Sequence, residues 1–301
     1  MKVLCFGSLN IDYTYQVDHF VRKGETLSSD GLAVYTGGKG LNQALALARA
    51  GADTVMAGAV GTDGLFLLDT LQKGGVDTSC VKILEEERTG NAIIQNDREG
   101  DNCILLFGGA NQRITKEMAD EVIGRFSPGD FLLLQNEINE LAYIMERGHA
   151  AGMRIVLNPS PMNEKILSLP LSYVDYFLLN EGEAAGILGD AEGRMDYDSL
   201  IGGLREKFPE ARIIMTVGGD GSFFADREGV RTQKAYRVKA VDTTAAGDTF
   251  TGFLTAALLS GKTPEEAMDR AAKAAAICVT RKGAAPSIPA PEEVDGWEFD
   301  Q

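Results

Sequence analysis

Short, continuously apolar runs alternate along this chain with longer segments whose apolar residues return every three or four positions. Residues 3–6, 54–59, 131–135, 154–158, 176–179 and 213–217 are the apolar runs. They lack the polar alternation of a half-solvated sheet, so they read as strands covered on both faces. Residues 41–50, 65–72 and 140–150 carry the helical spacing. Thr263-Pro264-Glu265-Glu266 is a capping box with proline at the first helical position, and it opens an alanine-rich helix to about residue 279. The alternation predicts an α/β fold: a central, mostly parallel sheet sandwiched by helices.

Two segments break the alternation. Residues 12–36 and 88–107 have β character with no clear helix between their runs. The second reads as a hairpin, 92–95 and 103–107, around the polar tip Asp97-Arg98-Glu99-Gly100-Asp101. Together they are expected to form a small separate β-sheet, a candidate lid or dimer surface, on a single domain spanning 1–301. The proline- and acid-rich tail from Ser287 is expected to wrap the surface.

Composition narrows the function. With 44% hydrophobic and 24% charged residues in 301, the chain is an ordinary soluble one, but its 35 glycines exceed the usual share. Many stand where predicted strands end, which suggests loops that approach a ligand closely. A formal charge of −15 argues against a nucleic-acid partner. It still permits a nucleotide, provided Mg²⁺ and local amides supply the positive field. Cys5, Cys80, Cys103 and Cys278 form no C-x-x-C pair, and His19 and His149 are the only histidines, so a Cys/His zinc site is not expected. The N-terminus runs directly into a strand without a signal peptide, and no apolar run is long enough to span a membrane. A cytoplasmic protein is expected.

In an open parallel sheet, ligands bind beyond the carboxyl ends of the strands. Polar residues gather at those ends here. Asn10 and Asp12 follow the first strand, and Gly37-Gly38-Lys39-Gly40-Leu41-Asn42 opens a helix. Glu137, Asn180-Glu181-Gly182-Glu183 and Gly218-Gly219-Asp220-Gly221 follow later strands. Taken singly, these are equally well turn formers, solvated acids or a hairpin turn. The glycine run is not a Walker A loop.

The stretch Val241-Asp242-Thr243-Thr244-Ala245-Ala246-Gly247-Asp248-Thr249-Phe250 ties them together. Phe250, Phe253, Leu254, Ala257 and Leu258 form a helical stripe, so the small residues sit at a helix start. The first amides there lack intrahelical partners and admit an anion. A first-turn Asp248 can merely offset the helix dipole. With Asp242-Thr243 and the small residues beside it, the arrangement also suits a carboxylate base facing a hydroxyl, while amides hold a transferring phosphoryl group. The composite fits a polyol pocket and a nucleotide groove meeting at Asp248.

These motifs resemble the ribokinase family of PfkB-type carbohydrate kinases nearly end to end. The resemblance is carried by Gly7-Ser8-Leu9-Asn10-Ile11-Asp12, by Gly37-Gly38-Lys39-Gly40-Leu41-Asn42-Gln43-Ala44 and by Leu157-Asn158-Pro159-Ser160-Pro161. Asn180-Glu181-Gly182-Glu183-Ala184, the stretch 241–250 and Val279-Thr280-Arg281-Lys282-Gly283-Ala284-Ala285-Pro286-Ser287 complete it. It implies a ribokinase-like fold with a β lid, and ATP-dependent phosphorylation of the 5-hydroxyl of D-ribose with Mg²⁺. Asp248 would be the base, and Ala245, Ala246 and Gly247 the anion hole. Asn10, Asp12, Gly38, Lys39, Asn42 and Glu137 would hold the sugar. Asn180, Glu183, Thr216, Gly218 and Gly221 would line the nucleotide and Mg²⁺–phosphate side. A monovalent cation such as K⁺ would sit at Asp242, Thr244, Cys278, Arg281, Gly283 and Ser287. The resemblance also implies a homodimer through the lid sheets. Leu41 stands where the family usually has alanine and Asn91 where it has an aliphatic residue, so Asn91 offers a bond to a different hydroxyl. The alternatives are a kinase for another sugar or a nucleoside (fructose, ketodeoxygluconate, deoxyribose) and a non-catalytic sugar sensor. The retained Asp248 and anion loop weigh against the sensor.

Overall fold

The apolar runs assemble into one nine-stranded sheet, and the two irregular segments into a second sheet of four strands. The computed structural model describes residues 1–99, 101–190 and 192–297, so Gly100 of the expected hairpin tip and the last four residues of the tail lie outside the described residues. From the N-terminus, β1 (Val3–Phe6) leads to β2 (Asn10–Gln16), β3 (Gly31–Gly37) and α1 (Lys39–Arg49). Next come β4 (Thr54–Val60), α2 (Leu65–Lys73), β5 (Asp77–Ile83) and the pair β6 (Gly90–Asn96) and β7 (Asn102–Phe107). Then α3 (Lys116–Ile123), β8 (Phe131–Gln135), α4 (Leu141–Ala150), β9 (Arg154–Asn158), β10 (Val174–Asn180), α5 (Glu181–Leu188) and α6 (Tyr197–Lys207) follow. The chain closes with β11 (Arg212–Thr216), β12 (Ser222–Asp226), β13 (Gly229–Gln233), α7 (Ala246–Leu259), α8 (Pro264–Val279) and a short α9 (Pro291–Asp295).

The large sheet runs β13-β12-β11-β10-β9-β8-β1-β4-β5. All neighbours are parallel except β11–β12 and β12–β13, so a hairpin closes one edge. Every residue of β1, β4 and β8 is buried, as continuous apolar strands require. On one face α1, α2, α7 and α8 pack against Cys5, Met56, Leu133 and Leu178; on the other α3 to α6 pack against Leu4, Ala57, Leu134 and Leu179. Thr263 and Glu266 close the capping box that starts α8.

The small sheet runs β3-β2-β6-β7, with β2 and β6 parallel at its centre. Its registers put Asp12, Thr14, Ala92 and Ile94 on one face and Tyr13, Val34, Ile93, Leu105 and Phe107 on the other.

One expectation holds only in part: Glu292, Glu293 and residues 295–297 are exposed. The tail does not begin on the surface: Ser287 and Ile288 are buried, and Val294 of α9 packs into the core. The Arg49 guanidinium donates to the carbonyls of Ala285 and Ile288, and the Ser287 hydroxyl donates to Ala284 O. A backbone tied at three carbonyls brings its apolar side chains inward whatever its composition.

Candidate active site

Ala245 adopts a left-handed conformation, φ 61°, as the N-cap of α7. That reversal starts the helix abruptly and leaves the Gly247 and Asp248 amides without intrahelical acceptors, at the positive end of its dipole. A Cβ at Gly247 would meet nothing within 4 Å, so the space above those amides is open to a ligand. Asp248, 6% exposed, is gripped from α1: Asn42 Nδ2 donates to Oδ2 at 3.0 Å and Gln43 Nε2 to Oδ1 at 2.8 Å. It borders a cavity of about 200 Å³ whose walls include Lys39, Asn158, Asn180, Glu183 and Thr216.

The charges around this cavity are coupled. Burial works to strip the Lys39 proton, but the fields of Asp248, Glu137 and Glu183 outweigh it and raise the ammonium above its ordinary value. A fixed cation at this place can meet a phosphoryl oxygen. Burial raises Glu183, against a lowering by the Asn180 amide. Glu183 and Asn180 also cap α5 reciprocally, which sets both side chains at the cavity rim. Burial likewise raises Glu137, against the pull of Lys39.

A second cavity, about 400 Å³, lies between the small sheet and the loop before α7, with Asp12, Thr14, Asn96, Asn102, Asp242 and Lys282 on its walls. Asp12 is pushed up to about 7 by burial, then by the charges of Glu137 and Asp248. Its carboxyl lies where a Cβ on Gly37 would be, 2.0 Å from Oδ2, so a side chain there would displace it. Gly38 (φ 93°) and Gly40 bring the loop onto Ser8: a Cβ at Gly40 would be 2.5 Å from Ser8 N. Glu137 fixes this loop by accepting from Ser8 Oγ and from Lys39 N. Asn10 is 5% exposed, and its Oδ1 accepts from Asn111 Nδ2 at 2.8 Å, which fixes the direction of its own amide group.

Asn91 does not take the place expected of it, and Leu41 lies away from the pocket. Leu41 is fully buried in the core under α1. Asn91 pairs with Ile11, on the sheet face opposite Asp12, and so points away from the second cavity. Neither residue reshapes the polar pocket.

A third cavity, about 380 Å³, is mostly apolar, with Val238, Ala272, Ala276 and Val279 on one side and Gly218, Gly219 and Gly221 on the other. The glycine turn is both things the sequence left open: it joins the antiparallel pair β11–β12, and it walls this cavity. Positive φ at Gly218 and Gly221 makes the tight turn. Thr243 lines all three cavities.

Behind the loop, Asp242 bridges two segments, accepting from Thr244 N and Oγ1 and from Gly283 N at 2.9, 2.6 and 2.9 Å. Burial alone would raise its carboxyl, but those bonds prevail and hold it below its usual range, so it stays anionic. The Cys278 thiol, raised by burial, approaches Ser287 Oγ and Thr244 O. The side chain of Arg281 instead pairs with Glu293, so only its backbone is offered to the loop.

Four residues of this arrangement were given no role by the sequence reading: Gln43, Gln135, Asn158 and Asn111. The available signal was polarity out of place, since Gln43 interrupts an apolar helix and Gln135 ends an apolar strand.

Residues 1–291 match the family of pfkB carbohydrate kinases. A ribokinase of Schizosaccharomyces pombe is 36% identical over 315 residues, covering 98% of this chain and 97% of that protein. The structure of a ribokinase from Cryptococcus neoformans in complex with ADP superposes with a TM-score of 0.82 at 32% identity, over 98% of each chain. An Arabidopsis thaliana ribokinase complexed with ribose and ATP gives 0.82 at 26% identity, over 97% of each chain.

Proposed function

The chain belongs to the pfkB family of carbohydrate kinases, phosphotransferases with an alcohol acceptor, and on that premise we propose that it transfers the terminal phosphoryl group of ATP to the 5-hydroxyl of D-ribose. The observation that carries this reading is Asp248, a buried carboxylate held by two amides at a helix start, on the wall of the 200 Å³ cavity that Thr243 links to the polar and the apolar ones. Asp12, on the wall of the polar cavity, reads hydroxyls together with Asn10 and Asn42. The apolar cavity takes the nucleotide base, with the Gly218–Gly221 turn, Thr216 and Asn180 along the phosphate path. The sugar hydroxyl attacks the terminal phosphorus, Asp248 takes its proton, and the bridging oxygen leaves with ADP. The Gly247 and Asp248 amides, together with Lys39, hold the charge on the transferring group. ATP use is favoured by the nucleotide-bound ribokinases among the similar structures.

Asn180 and Glu183 supply oxygen donors suited to hydrated Mg²⁺, which would neutralise phosphate charge. The anionic Asp242 and the carbonyls near Thr244, Cys278 and Ser287 are hard donors suited to K⁺, which would stiffen the anion loop. We read the chain as one kinase domain with the small sheet as its lid, dimerising through that sheet. Four free cysteines favour a reducing, cytoplasmic setting, and recovery from a secreted fraction would overturn it. Among the described residues no helix is long and apolar enough to cross a membrane.

The test is ADP release over ribose, deoxyribose, fructose, ketodeoxygluconate and nucleosides. Ribose should be used best and Mg²⁺ should be required. At constant ionic strength K⁺ should raise kcat severalfold, much less so in Asp242→Asn. Asp248→Asn should lower kcat by ~10²–10⁴. Near-normal turnover by a folded Asp248→Asn would overturn the mechanism, and faster turnover of another acceptor would overturn the substrate.

A further inference from the structure

We propose that Gln43 is a positioning residue for the base: its side-chain amide, locked in one direction by Gln135 and Asn158, aims the Asp248 carboxylate. The inference rests on the reading of Asp248 as base. Gln43 is fully buried, so it cannot touch substrate itself. Its Nε2 donates twice, to Asp248 Oδ1 at 2.8 Å and to Asn158 Oδ1 at 2.9 Å, and its Oε1 accepts from Gln135 Nε2 at 2.7 Å. Asn158 is fixed in turn by donating to Leu178 O at 2.9 Å. A flipped Gln43 would set acceptor against acceptor at both Asp248 and Asn158, and would face Gln135 donor to donor. The network therefore admits one orientation only.

Gln135 and Asn158 are register partners at the ends of β8 and β9, so the carboxylate is referenced to the middle of the sheet rather than to a loop. Gln135 Oε1 has no hydrogen-bond partner although it is buried. An amide kept for packing alone would be better replaced by an apolar side chain, so Gln135 is there for its donor side. With Asn42 on Oδ2 and Gln43 on Oδ1, rotation of the Asp248 carboxylate is blocked and the remaining lone pairs are left for the attacking hydroxyl.

Gln43→Glu keeps the size and the Gln135 bond but replaces the donor facing Asp248 with an acceptor, so two carboxyls must share a proton. The acid limb of the kcat/KM profile for ribose should move up by about 1–2 pH units, and kcat at pH 7 should fall at least ~10-fold. KM for ribose and ATP should stay within about threefold, because no substrate contact is removed. Gln135→Met leaves Gln43 Oε1 unpaired and its amide held only by Asp248 and Asn158, and should shift the acid limb in the same direction by less; it decides the matter if Gln43→Glu does not fold. Unmoved profiles in these variants beside an inactive Asp248→Asn would overturn this inference alone. An active Asp248→Asn would overturn the base reading, and this inference with it.

Discussion

Asp12 is a carboxyl that the fold protonates at a position where the proposed chemistry uses a hydrogen-bond partner. Burial, with Glu137 and Asp248 nearby, lifts it from 3.8 to about 7. Between those values the folded chain holds a proton there that the unfolded chain has released. Its contribution to stability is therefore complete in acid and is lost as pH rises through 7. Asp12→Asn removes that dependence. Linkage sets a ceiling of about 4 kcal/mol on the gain, and solvent reaching the cavity brings it to about 1–2 kcal/mol. The variant should melt with the wild type near pH 4 and several degrees above it at pH 8, while kcat/KM for ribose falls about 10–100-fold because Asn keeps only one of the two carboxyl oxygens that meet the sugar. Equal melting temperatures at pH 8 would show that Asp12 ionises freely in the folded state.

At the scale of elements, the strand ends were legible in the sequence because a parallel sheet covered on both faces needs apolar strands and places its loops at one edge. Lys39, Asn180 and Glu183 could be gathered from that rule, Asp248 from its helix start and Thr216 from the family resemblance, and the structure sets all five around one cavity. The hydrogen-bonded layer beneath them could not. Gln43 meets Asp248 across 205 positions of chain, and no periodicity reports a pairing at that range. Asn91 was misjudged because β spacing does not say which face a strand shows to a pocket; only the register with Ile11 does. Glycines divide in the same way. A Cβ at Gly40 would press on the Ser8 and Gly7 backbone, at 2.5 and 2.6 Å, and backbone cannot yield. Gly40→Ala should thus destabilise by about 1–3 kcal/mol, with catalysis lost through the displaced α1. Gly219 has open space instead, in the wall of the apolar cavity. Gly219→Ala should leave the melting temperature unchanged and raise KM for ATP by about two- to tenfold. Thermal melts and ATP titrations of both variants check the contrast; identical behaviour would mean that the loop over Ser8 can shift after all.

At the scale of the whole molecule, the small sheet has one face too many. Its inner face looks onto the polar cavity. Its outer face bears Leu32, Val34, Ile93, Leu105 and Phe107, at 55, 50, 38, 66 and 54% exposure. The edge strand β7 is exposed along its entire length. A four-stranded sheet with an apolar outer face and an open apolar edge is a template for association unless something covers it. A second copy of the chain is the occupant we propose, since the same face then covers itself about a two-fold axis. Charge argues about conditions rather than against the contact. Two copies at −15 each repel over a screening length of ~10 Å at 0.1 M salt, so added salt should strengthen the dimer. An apolar interface gives the same sign, whereas one built on ion pairs would weaken. Leu105→Asp with Phe107→Asp should give a monomer in sedimentation velocity. It should also raise KM for ribose more than it lowers kcat, because a lid without its partner closes poorly while Asp248 and its amides are untouched. A wild-type protein that sediments as a monomer at all concentrations and salts would overturn the dimer, and an unchanged KM in the double variant would separate association from sugar binding.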